Sequence, residues 1–313
     1  MIRGSVEGRH LQLYLLLGED RIVLIDSGTA HDPSAIIEPY LQRIGLNFAN
    51  IDLVLVTHAD MDHSGGAGVI KQASPGTLLA CPERDRAMVE DPALLYALRY
   101  DKHRVQHGIA YDQTTKESVL KGCGNSLNFD LTFVGGETIR LGRDWSLQVY
   151  ASPGHTDGHL SVFDTKNKII FSSDAIQGTA CLGIDGKPNL CPVYVSVESY
   201  EQTLRLLGSL EVEVLCTAHW PTMRGDAIRS FLDQSRGHVG LVDRLISEQL
   251  SSRREGATLK ELVCSLGESL GDWPREMDSE LAYSFSAHLE RQMKWGSIRL
   301  DALEAPVRFY FVS

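Results

Sequence analysis

No apolar run in this sequence approaches the ~18 to 20 residues that cross a bilayer as a helix, so integral membrane functions are set aside. The apolar segment nearest the N-terminus, Leu11 to Leu17, is about seven residues long, too short for a signal-peptide core, and a soluble cytoplasmic protein is expected. CxxC pairs are also missing. The six cysteines (Cys81, Cys123, Cys181, Cys191, Cys216, Cys264) are scattered, which suits reduced thiols and assigns them no chemistry. Positive charge is scarce: 30 Lys+Arg stand against 41 Asp+Glu, a formal charge of -11, so nucleic acid and anionic membranes are disfavoured partners. Repeats and low-complexity tracts are absent, and 313 residues suffice for one large domain with an appendage.

What is present is an alternation of short β-rich runs and helical patterns. LQLYLLLGEDRIVLIDSGTA reads as a hairpin, DPSAIIEPYLQRIGL (32 to 46) as a helix, and IDLVLVTH as a buried strand that delivers His58 at its carboxyl end. Carboxyl ends of strands are where α/β folds collect ligands. A short strand near Thr77 to Cys81 precedes a helical insertion at about 82 to 130, after which β runs resume through residue 176. A loop rich in Gly, Pro and Cys (177 to 193), a helix near Ser199 to Leu210 and a strand ending at His219 follow. From about 229 the composition turns to amphipathic helices and closes on SIRLDALEAPVRFYFVS, giving helix, helix, helix and hairpin, the order of a winged-helix module. The expected division is 1 to 228 and 229 to 313.

Chemistry concentrates at the strand ends. THADMDHSGG packs His58, Asp60, Asp62 and His63 into six residues, and SPGHTDGH (His155), SSDAI (Asp174) and TAHWP (His219) repeat the arrangement of a strand ending in a ligand-type side chain among small residues. Imidazole and carboxylate suit Zn, Fe and Mn, and a dinuclear site commonly shares one carboxylate. These seven are the candidate ligands. Four separate strand ends with such residues are hard to obtain by chance, whereas one histidine alone would be unremarkable.

On these residues the chain resembles the metallo-β-lactamase superfamily, whose pattern is HxHxDH followed by a lone His, a lone Asp and a last His. His58, Asp62, His63, His155, Asp174 and His219 match, as does Asp26 in IDSGT for the early aspartate; Asp60 departs, standing where a histidine is expected. The resemblance covers about residues 10 to 225. It implies an α/β fold, a four-layer αβ/βα sandwich with the site at one edge between two sheets. It also implies two divalent metals, Zn first, with Fe or Mn favoured by the harder oxygen ligand of Asp60. His58, position 60 and His155 would hold one ion, Asp62, His63 and His219 the other, and Asp174 would bridge. The C-terminal portion resembles, less specifically, the winged helix of a branch that includes RNA-cleaving enzymes and related thioesterases. Residues 230 to 313 hold 10 Lys+Arg and 13 Asp+Glu, whereas a nucleic-acid wing is usually basic, so this part reads as packing and homodimer-forming, or as one wall of the substrate pocket.

The implied reaction is hydrolysis. Two metals ~3.5 to 4 Å apart lower the pKa of a shared water and polarise the scissile group, so a metal-bound hydroxide would attack a small ester, thioester or lactone. Asp62 would orient the nucleophile and carry its proton. SPGHTDGHLS is closest to glyoxalase II-like and lactonase relatives, and Tyr194 sits where some lactonases place a tyrosine on the carbonyl oxygen. Asp26 and His159 are candidates to fix the ligating imidazoles. His103 and His107, four apart, share one helix face and read as solvated rather than lining the cleft. The alternatives are an endoribonuclease or phosphodiesterase, and a di-iron redox protein resembling flavodiiron proteins, which carry a carboxylate at position 60.

Overall fold

The computed structural model describes residues 1–302 and 305–312. Two six-stranded sheets face each other. The first runs, in spatial order, Ile2–Val6, Arg9–Leu17, Ile22–Ile25, Leu53–Leu55, Leu78–Pro82 and Leu131–Phe133, antiparallel through the first three strands and parallel thereafter. The second runs Met223–Arg224, Val214–Thr217, Ile169–Ser173, Leu160–Asp164, Trp145–Ala151 and Thr138–Gly142.

The unbroken Val and Leu runs follow from burial on both faces. Along LVLV (53 to 56) the side chains alternate: Leu53 and Leu55 point into the layer between the sheets with Leu147, Val149, Leu160 and Val162, whereas Val54 and Val56 point outward beneath helices with Leu24 and Ile70. On the far side Val197–Ser209 and the start of Asp226–Ser251 cover the second sheet through Tyr200, Leu204, Phe231 and Leu232. The layers are therefore helix, sheet, sheet, helix, the αβ/βα sandwich.

Several local expectations change. Residues 32 to 46 begin as a π-helical turn, Pro33–Ile37, and only Glu38–Arg43 is α-helical. Pro39 has no N–H for the carbonyl four residues back, and the Glu38 N–H reaches Pro33 O instead. The loop 177 to 193 contains a small antiparallel pair, Cys181–Leu182 with Pro188–Leu190. The insertion breaks into short pieces, among them the π-helical turn Tyr96–Tyr100 and the helices Arg104–His107 and Gln113–Cys123.

The C-terminal part comprises Asp226–Ser251, Leu259–Leu270 and Leu281–Lys294 around a core of Leu262, Trp273, Phe285 and Leu289, with a sheet in the order Ala257–Thr258, Arg308–Phe311, Ile298–Asp301. The portion of the closing β-run at 303, 304 and 313 lies outside the described residues. This unit packs on the insertion, which corrects the solvated reading of His103 and His107. Both are buried: His103 meets Tyr283 edge-on at 5.1 Å and His107 stacks on Phe309 at 6.0 Å.

Buried histidines make stability acid-sensitive. Burial lowers the pKa of His238 to about 4 and of His103 to about 3, and Nε2 of each has no partner. The unfolded chain, with histidine pKa ~6.5, takes up protons that the folded chain refuses, so stability falls as pH drops below about 6.5. A loss of the order of 2 kcal/mol per histidine by pH 5 is expected, read as a falling melting temperature between pH 7 and pH 5. A flat profile would contradict it.

Among the described residues, no helix is long and apolar enough to cross a membrane.

Candidate metal centre

The ligand-type residues converge where the carboxyl ends of strands from both sheets meet. Strand Leu53–Leu55 leads to His58, a short helix Met61–Ser64 carries Asp62 and His63, Ile169–Ser173 leads to Asp174, and Val214–Thr217 leads to His219. The glycines after His63 are required by close approach: a Cβ on Gly65 would meet the Gly122 carbonyl, and one on Gly66 the Ser27 carbonyl. Asp85, fully buried, ties the two histidine loops together by accepting from Ala59 N (3.2 Å), Thr156 Oγ1 (2.7 Å) and Gly158 N (2.9 Å).

Three imidazoles are fixed from behind. His63 Nδ1 donates to Asp26 Oδ2 at 2.9 Å, His155 Nδ1 to Val193 O at 2.6 Å and His219 Nδ1 to His10 O at 2.7 Å, which turns each Nε2 toward the site; His155 Nε2 there meets Asp60 Oδ2 at 2.9 Å. Asp26 also accepts from Thr57 N (2.7 Å), Thr57 Oγ1 (2.9 Å) and Ser173 Oγ (3.0 Å). Asp26 and Ser173 both adopt positive φ, +60° and +46°, in a region that non-glycine residues rarely occupy. Such backbone clusters at functional sites, and here it aims two strand ends at one imidazole. His159 plays a different part from the one expected: its ring stacks on His58 at 4.8 Å and its Nδ1 meets Ser152 Oγ at 3.0 Å, so it packs against a candidate ligand without bonding to it.

Three overlapping groups bring ligand atoms close enough to hold an ion: His58, Asp60 and His155; His58, His63 and Asp174; and Asp62, His63 and His219. His219 Nε2 lies 3.3 Å from Asp62 Oδ2 and 3.3 Å from Asp174 Oδ2, while His63 Nε2 is 3.7 Å from each carboxylate. Ligands at ~2.0–2.2 Å around a tetrahedral Zn stand about 3.3 to 3.6 Å apart, so these atoms are spaced to share an ion. Two buried atoms of this cluster have no protein partner, His63 Nε2 and Asp174 Oδ1, and neither has His58 Nε2, which lies close to both residues. The electrostatics agree. Burial opposes a charged His63, yet Asp62, Asp26 and Asp174 raise its pKa to about 9; Asp174 and Asp62 likewise hold that of His219 well above the ordinary histidine value. The carboxylates, though buried, are held below their usual range, Asp62 by His63 and His219, and Asp174 by His219 and His63. The cluster attracts positive charge, and a divalent ion fits it.

Asp60 lies beside His58 and His155 but has another partner. Arg99, from the insertion, donates from Nε to Oδ1 and from Nη2 to Oδ2, both at 2.8 Å, and is only 6% exposed. Sequence reasoning missed Arg99. A carboxylate in an imidazole's place needed a cation beside it, but nothing local in RYDKH identifies which residue supplies it.

The expectation for Tyr194 is corrected. It is fully buried, stacks on Tyr200 at 4.6 Å and donates its hydroxyl to His288 Nε2 at 2.8 Å, turned into the C-terminal unit and not among the residues lining the cavity. Tyr194→Phe is accordingly expected to leave kcat/KM within about 2-fold and to cost about 1 kcal/mol in denaturant unfolding; a large loss of turnover with stability intact would restore the catalytic role.

A cavity of about 580 Å³ opens over the cluster. Asp60, Asp62, His155, Asp174 and His219 line its floor, and Pro274, Met277, Glu280 and Tyr283 of the C-terminal unit form a wall.

The comparisons with known proteins agree with this geometry. The sequence profile described as "Metallo-beta-lactamase superfamily" matches residues 11–219. Two curated relatives are each 28% identical: the uncharacterized protein YobT of Bacillus subtilis (strain 168), over 176 residues, 56% of this chain and 65% of the relative, and a hydroxyacylglutathione hydrolase of Bdellovibrio bacteriovorus, over 177 residues, 55% of each. The chain thus spans less than two thirds of the length of either. The solved metallo-beta-lactamase family protein TTHA1429 from Thermus thermophilus shares the fold over 99% of this chain and 96% of its own, with a TM-score of 0.74 at 20% identity. A beta-lactamase domain protein from Burkholderia ambifaria does so over 99% and 90%, at 0.72 and 16%. With the profile spanning most of the chain, the chain belongs to the metallo-β-lactamase superfamily.

Proposed function

We propose that this hydrolase-family member cleaves small acyl compounds, thioesters first and esters or lactones next, in a metal-dependent reaction. The observation that carries the reading is the ligand cluster on the floor of a walled cavity of about 580 Å³, within the ~300–1,000 Å³ range of small-molecule sites. The kinship to hydroxyacylglutathione hydrolases supports a thioester.

Asp62, His63, Asp174 and His219 would hold the ion, which supplies a water of lowered pKa and a Lewis acid for the acyl oxygen. Asp62 Oδ2 faces His63 and His219, and its second oxygen, Oδ1, is assigned to orient the attacking water and pass its proton to the leaving group. Leu190, Trp220, Met277 and Tyr283 exclude bulk water and pack the acyl chain. Polynucleotide cleavage fits less well, because Arg9 and Arg99 are outnumbered along the walls by Glu7, Asp112, Glu276 and Glu280. The di-iron alternative needs Asp60 as a free ligand, and Arg99 engages both its oxygens.

The test is a panel of a hydroxyacyl thioester of glutathione, an aryl ester, a lactone and a phosphodiester, assayed before and after chelation. Thioester hydrolysis that disappears with chelator and returns with Zn, Mn or Fe is expected. Turnover indifferent to chelation, or confined to the phosphodiester, would overturn the reading.

A further inference from the structure

We propose that the first of the two metal positions implied by the sequence pattern is filled by the guanidinium of Arg99, so that the chain carries a single ion at Asp62, His63, Asp174 and His219. The inference rests on that cluster as the ion's seat and is independent of the substrate.

His58, Asp60 and His155 are close enough to form an ion-binding group, with His58 Nε2 3.7 Å from Asp60 Oδ2, but their donor atoms are otherwise engaged. His155 Nε2 is 2.9 Å from Asp60 Oδ2, a hydrogen-bond separation, and Arg99 Nη2 approaches the same Nε2 at 3.4 Å while bonding Oδ2 at 2.8 Å. Oδ1 is taken by Arg99 Nε at 2.8 Å. Arg99 is locked from its other sides as well: Nη1 donates to His155 O at 3.3 Å, its Cζ lies 4.9 Å from the Tyr283 ring centre, and Tyr283 Oη donates to its carbonyl at 2.8 Å. Bidentate pairing of this kind is the strongest form of side-chain ion pair. Of the three residues, only His58 Nε2 remains without a partner. One free imidazole nitrogen beside a fixed cation is a poor seat for a divalent ion.

The charges explain why the two changes occur together. Aspartate in place of an imidazole adds one negative charge to a buried site, and Arg99 returns it to balance. Arg99 also lines the cavity, so the positive charge that a first ion would present to an acyl oxygen is supplied by a guanidinium. Asp60→His alone would strand a buried guanidinium, so the pair must be changed together.

The experiment is metal analysis of the full chain, loaded with Zn(II) or Mn(II) and dialysed, beside the double variant Asp60→His/Arg99→Met. About one ion per chain is expected natively and about two in the double variant. Should the variant fail to fold, electron paramagnetic resonance of the Mn-loaded native chain decides: an isolated Mn(II) signal supports the proposal and an exchange-coupled pair overturns it. Two ions on the native chain, or a folded double variant that still holds one, overturn the proposal and leave the hydrolase reading intact. A native chain that holds none overturns both.

Discussion

Replacing His219 with alanine is expected to abolish retention of the catalytic ion through dialysis and to lower acyl hydrolysis by more than the ~10- to 100-fold typical of losing an outer-shell partner. The reason is geometric. His219 Nε2 stands 3.3 Å from both Asp62 and Asp174, so it is the imidazole in closest contact with the two carboxylates. Without it they face each other across a buried space with only His63 between them, and mutual repulsion should raise the pKa of one. Metal content and kcat/KM measured on the same preparation check this. Full metal occupancy with turnover lost would place His219 in the chemistry and not in the ion's seat.

The second large effect is expected at Asp26, which does not line the cavity. Asp26→Asn keeps the volume but offers one acceptor oxygen and an NH2 group to a pocket of donors: Thr57 N, Thr57 Oγ1, Ser173 Oγ and His63 Nδ1. His63 then loses the carboxylate that fixes its tautomer. Metal affinity should fall about 10- to 100-fold, and unfolding free energy by about 1–3 kcal/mol, the cost of buried donors left without an acceptor. Competition with a chelator of known affinity reads the first and denaturant titration the second. A variant that loses stability but keeps its metal affinity would reduce Asp26 to a structural role.

The candidate ligands are legible in the sequence because each is announced locally. His58, His155, Asp174 and His219 follow apolar β runs and sit among Gly, Ser, Thr or Pro, so a short window contains both the strand and the side chain at its end. The two sheets were legible for the same reason, as Val- and Leu-rich runs buried on both faces. What could not be read depends on contacts between distant segments. Arg99 reaches Asp60 from 39 positions away, through a π-helical turn whose place over the site is fixed by Tyr283 of the C-terminal unit. Tyr194 and His103 were misread because the surface that buries them, carrying His288 and Tyr283, comes from residues about 90 and 180 positions further on. Periodicity shows that a helix has an apolar face, but it does not show which partner covers that face.

The central claim is that Asp62, His63, Asp174 and His219 hold the catalytic ion. Anomalous scattering from crystals of the metal-loaded chain, recorded at the Zn, Fe and Mn edges, tests it most directly. A single peak enclosed by His63 Nε2, His219 Nε2 and the facing oxygens of Asp62 and Asp174 is the expected result. A peak lying instead among His58, Asp60 and His155, or no peak at either place, would contradict it.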